Sequence, residues 1–93
     1  MADEDVVRDD ALRLLWAMNK QKVGAQVHPS GAAHQVGLIP GADRCNAAVA
    51  YLVREGAIEP DKETLKYTIA GPGYSFYRIT NHGLEMSRGY SPE

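Results

Sequence analysis

Between Gly41 and Thr80 the chain reads GADRCNAAVAYLVREGAIEPD and then KYTIAGPGYSFYRIT, a stretch with helical period followed by two alternating stretches around a Gly-Pro-Gly tip. This succession constrains the fold more than any other feature, because a 3.6-residue period and a two-residue period call for different elements. It predicts a helix over 43–55, a stop at Gly56 and a hairpin over 65–80.

Within the predicted helix, Asp43 stands as the cap, and Cys45, Val49, Leu52 and Val53 fall on one side with Ala48 beside them. Gly56 ends it, and Ala57 and Ile58 return to the core. A polar turn follows at Pro60-Asp61-Lys62-Glu63. Leu65 to Ile69 and Phe76 to Ile79 then alternate as strands, and Gly71-Pro72-Gly73 supplies the backbone freedom a hairpin reversal needs. Thr80 caps a short last helix around His82 to Ser87, with Leu84 facing the core.

Upstream, Val7, Ala11, Leu14, Leu15 and Met18 recur at helical spacing, with acids at the start and Lys20 and Lys22 near the end, as the helix dipole favours. This predicts a first helix over about Asp3 to Lys20, with Trp16 as an anchor at the core edge. Gln26-Val27-His28 has room for one rung of strand before Pro29. Ser30 then caps a short second helix with Ala32, Ala33 and Val36 on its apolar face, and Gly37 ends it. Pro40 and Gly41 turn the chain into the third helix, which makes a helix-turn-helix pair.

A chain of 93 residues has surface for one core, so residues 1–93 are expected to form a single domain, with 1–5 and 89–93 as frayed tails. Apolar runs such as Ala47 to Val53 are far shorter than the roughly 20 residues a bilayer span needs. The start MADEDVVRDD is acidic and unlike a signal or transit peptide, so a cytoplasmic protein is expected. The single cysteine, Cys45, lies on the apolar side of its helix and reads as a buried thiol.

Formal net charge is −2, unevenly spread: residues 1–10 hold five acids against Arg8, and residues 11–93 hold nine basic against seven acidic residues. The body is therefore weakly basic behind an acidic leader, which either favours the start of the first helix through its dipole, repels nucleic acid, or docks on a basic partner.

Three stretches carry a resemblance: Gly37-Leu38, Ala48 to Ile58 (AVAYLVREGAI), and Tyr77 to Leu84 (YRITNHGL). Over about residues 5–88 the chain resembles winged-helix transcriptional regulators. The implied fold is α+β: a small winged helix-turn-helix domain with a three-helix core, a two- to three-stranded antiparallel wing and a short C-terminal helix. The resemblance further implies double-stranded DNA as partner, with helix 43–55 in the major groove.

On that basis Arg44 would read a guanine edge, Asn46 an adenine edge, and Tyr51 and Arg54 would touch phosphates. Ala47 and Ala50 form a smooth apolar strip suited to thymine methyls or to a protein helix. Lys66, Tyr74 and Arg78 are the wing's candidate DNA contacts. A homodimer is also expected as a candidate, because one module of this size buries only about 600–1,000 Å² on DNA. The alternative is a winged-helix protein-interaction module within a larger complex, using the same alanine-lined face or Trp16.

Catalysis has little support. His28, His34 and His82 sit in unlike elements without metal-site spacing, and Glu55, Glu59, Asp61 and Glu63 gather where solvation is expected. Gly71-Pro72-Gly73 lacks the helix and lysine of a phosphate loop. The expectation is a non-enzyme with no cofactor and no metal.

Overall fold

Helical periodicity near the N-terminus produces the spine of the molecule. In the computed structural model, which describes residues 4–21, 26–27, 29–60 and 77–90, helix α1 spans Glu4–Gln21. Ala11, Leu14, Leu15, Ala17 and Met18 on its inner face are fully buried. Helices α2 (Pro29–Gln35), α3 (Asp43–Arg54) and α4 (Asn81–Ser87) all pack against it. The result is a small α+β fold.

Among the described residues three short antiparallel strands complete it: β1 (Gln26–Val27), β2 (Ile58–Pro60) and β3 (Tyr77–Ile79), in the order β1-β3-β2. Val27 lies opposite Tyr77 and both are buried, a β-branched and aromatic pair that sheet packing favours. Ile58 lies opposite Ile79 on the other flank. The strands join the helical core through Ile58, which with Leu14, Leu15, Met18 and Leu52 is among the largest fully buried side chains. Burying one such side chain contributes about 1.5–3 kcal/mol relative to exposure.

Tyr77–Ile79 is flanked by β1 on one side and by β2, Ile58–Pro60, on the other. Ile58-Glu59-Pro60 carries too short an alternation to announce a strand, and Pro60 tolerates its place only as the last residue of an outer strand. Leu65 to Ile69, Gly71-Pro72-Gly73, Lys66, Tyr74 and Phe76 lie outside the described residues, as does His28.

Helix boundaries also shift. Helix α2 begins at Pro29, before the expected Ser30 cap, because a first-turn proline loses no hydrogen bond and has its φ already set. Helix α3 has Ala42 as its cap, in extended conformation and without a side-chain hydrogen bond, while Asp43 is its first helical residue. There its charge still favours the helix start through the dipole.

Helix α3 stops where the sequence predicts. Gly56 takes φ +74°, and the Ala57 N–H reaches back to the Leu52 carbonyl at 2.9 Å. This is a Schellman closure, in which glycine adopts the left-handed conformation without a Cβ penalty. The returning Ala57 and Ile58 are buried, as expected.

Thr80 ties this turn to the last helix. Its side-chain oxygen accepts from the Gly83 N–H at 3.1 Å, its own N–H donates to the Ala57 carbonyl at 3.0 Å, and its hydroxyl donates to the Gly56 carbonyl. Helix α4 therefore starts against the backbone that follows α3. The buried residues of α4 are Gly83 and Ser87, while Leu84, expected in the core, is half-buried. Close approach of backbone to backbone takes the space a larger side chain would fill. Tyr90, expected in a frayed tail, is half-buried, and burial together with the Asp9 charge raises its pKa.

A Cβ at Gly83 would run into the Ala57 carbonyl oxygen and would also meet Ile79 Cγ2 at 2.9 Å. Gly83→Ala is therefore expected to destabilise the fold by about 1–3 kcal/mol, the usual cost of overpacking a tight contact. Thermal melts of the two proteins would check this. An unchanged melting temperature would contradict the packing described.

Candidate nucleic-acid interface

The inward face of α3 is formed by Cys45, Ala48, Val49 and Leu52, all buried. With four buried residues centred on one side, a 100° turn per residue puts Asp43, Ala47, Ala50 and Arg54 along the opposite line. Asp43, Ala50 and Arg54 are exposed and Ala47 is half-buried. Val53, expected inside, is 38% exposed because it falls on the flank of the helix rather than on its inner line. Tyr51 is half-buried and packs against the core. The Arg54 guanidinium stacks over the Tyr51 ring at 5.2 Å from its centroid.

Arg44 does not stand free on this face. Its Nε donates to Asp10 Oδ2 at 2.6 Å and its Nη2 to Asp10 Oδ1 at 3.1 Å, a two-pronged ion pair across α1 and α3. Arg13 adds a third bond, Nη2 to Asp10 Oδ1 at 2.7 Å, while its Nη1 donates to the Val36 carbonyl at 3.2 Å. One carboxylate thereby holds α1, the turn after α2 and the first turn of α3 together.

Asp10, counted with the acidic leader in the sequence, is 1% exposed and so sets itself apart from that leader's exposed acids. Charge counting along the run DEDVVRDD could not separate it from its neighbours. The available signal was phase: Asp10 lies four residues before Leu14 and on the same stripe.

Burial alone would raise the Asp10 pKa, but the hydrogen bonds and charges of Arg44 and Arg13 outweigh it and lower the carboxyl below its usual 3.8. Burial pushes the Cys45 thiol the other way, upward, and the Asp10 charge adds to that shift. Neither group has the character of a general base or a reactive thiolate at neutral pH. Among the described residues no three His, Cys, Asp or Glu side chains gather as a metal site.

Asn46 is half-buried, and its Nδ2 donates to the Gly41 carbonyl at 3.2 Å, so its amide clips the turn before α3. Arg78 pairs across the sheet with Glu59 at 2.9 Å, both side chains being 52% exposed. Exposed pairs of this kind contribute little to stability. The structure thus brings Arg44, Ala47, Ala50, Tyr51 and Arg54 onto one helix, with Arg44 and Arg78 each already matched by an acid. Lys66 and Tyr74 lie outside the described residues.

A second feature lies between α1 and α2. Arg13, Trp16, Gln35 and Val36 line an open hollow of about 400 Å³. Trp16 is half-buried against the core, as expected, and Lys20 Nζ sits 4.5 Å from its ring centroid. No helix among the described residues is long and apolar enough to cross a membrane. No family model, curated protein or solved structure matches the chain.

The lowered pKa gives Asp10 a definite pH signature. Its contribution is fully present above its unfolded value, near pH 4, and is lost as pH falls from there through the folded pKa. Asp10→Asn is expected to cost about 2 kcal/mol at pH 7, the scale of hydrogen bonds to a charged group, and to flatten the loss of stability below pH 4. Chemical denaturation across that range is the check, and an unaltered acid limb in the variant would contradict the assignment.

Proposed function

We propose that this chain is a winged-helix protein that binds double-stranded DNA and regulates transcription, with α3 as the reading helix. The observation carrying this reading is the outward line of α3, which α1 and β2 leave uncovered from behind. An exposed helix backed by packed helices and an antiparallel sheet is compatible with the plan the sequence resemblance implied. The major groove admits one such helix.

In this reading Arg54 and Tyr51 contact phosphates, Ala47 and Ala50 lie against base edges and thymine methyls, and Arg44 and Arg78 supply charge that their acid partners partly offset. With few unmatched cations among the described residues of this face, binding is modest and falls steeply with salt.

A second reading is an interaction module that takes a protein helix on the same face. The exposed strip of Ala50 and Val53, with the charge matching of Arg44 and Arg78, favours it.

A salt titration of binding to mixed-sequence duplex DNA separates the two. Binding that weakens with salt is expected, and Arg54→Ala should lower affinity evenly across sequences and reduce the log-log slope by about one. Absence of binding at low salt would overturn the DNA reading in favour of the protein partner.

A further inference from the structure

The ion pair at Asp10 leaves a specific part of Arg44 unused. A guanidinium has two forks: the side fork of Nε and Nη2, and the end fork of Nη1 and Nη2. Asp10 occupies the side fork through both of its oxygens. Among the described residues no atom accepts from Nη1 of Arg44, and the side chain is 59% exposed. Arg44 is thus bonded on its inner edge and open on its outer one.

Resting on the DNA reading above, we infer that Asp10 is a positioning residue for base recognition, holding Arg44 so that its end fork meets N7 and O6 of a guanine in the major groove. Three observations support this over a simple structural tie. Asp10 is fixed from a second direction by Arg13, which is itself bonded to the Val36 carbonyl, so the carboxylate cannot swing with Arg44. Arg44 lies in the first turn of α3, and the first residues of a reading helix are the ones that contact base edges.

The third is the geometry of the fork. A phosphate can be met by a mobile point charge, whereas the paired acceptors of guanine require a planar fork held at a set angle. A guanidinium locked on one edge loses less freedom when the other edge binds. Two residues far apart in sequence, Asp10 and Arg44, then act as one reading unit.

The test is selection of bound duplexes from a pool with ten randomised base pairs, using the wild-type chain, Arg44→Lys and Asp10→Asn. The wild type should enrich a guanine at one position. Arg44→Lys keeps the charge but not the fork, and should reduce that preference by about tenfold while leaving the salt slope unchanged. Asp10→Asn, shown folded by its melt, should relax the same position and no other. Because Arg44 is exposed, Arg44→Lys gives a readout even where Asp10→Asn fails to fold.

An even loss of affinity at all positions in Arg44→Lys would identify a phosphate contact and overturn the inference while sparing the DNA reading. A guanine preference that survives Asp10→Asn would overturn the positioning role. No enrichment with the wild type, together with no binding at low salt, would remove the DNA reading and this inference with it.

Discussion

A buried carboxylate held by two arginines sets the geometry of the rest. Apolar burial around Leu14, Leu15, Met18 and Leu52 supplies most of the drive to fold, but it has no direction and would tolerate rotation of α3 against α1. The Asp10 fork does not tolerate it. A charge taken out of water is costly unless its partners stay in place, so the bond to Arg44, from a carboxylate that Arg13 holds on α1, fixes which face of α3 looks outward. Ala50 and Arg54 are exposed, with Ala47 half-buried beside them, because of that registration.

The same constraint explains a tension in the surface. Two of the arginines that would attract a polyanion are already used by the fold: Arg44 binds Asp10, and Arg78 binds Glu59 across the sheet. Such a surface favours directed contacts over bulk charge attraction. Ala50 and Val53 add exposed apolar area to the same helix, the feature that favours the protein-partner reading.

The helices were legible in the sequence because long amphipathic periods persist under any tertiary packing, and Gly56 was legible because its turn needs a left-handed residue. What failed was short or pairwise. The starts expected at Ser30 and Asp43 both fall late, since Pro29 already opens α2 and Ala42, with no side-chain bond, stands as the cap of α3. The strand Ile58–Pro60 is only three residues long and is defined by its partner, not by its own pattern. Arg44 and Asn46 were placed on the outer face by helical phase, but phase says nothing of what a long or amide side chain reaches. Arg44 extends back to α1, and Asn46 to the Gly41 carbonyl.

The most direct test of α3 as the reading helix is a backbone-amide NMR titration of the chain with a short duplex at low salt. The account predicts shifts along Arg44, Ala47, Ala50, Tyr51 and Arg54, with the Trp16 indole unchanged. Shifts confined to the hollow around Trp16 and Gln35, with α3 silent, would contradict it.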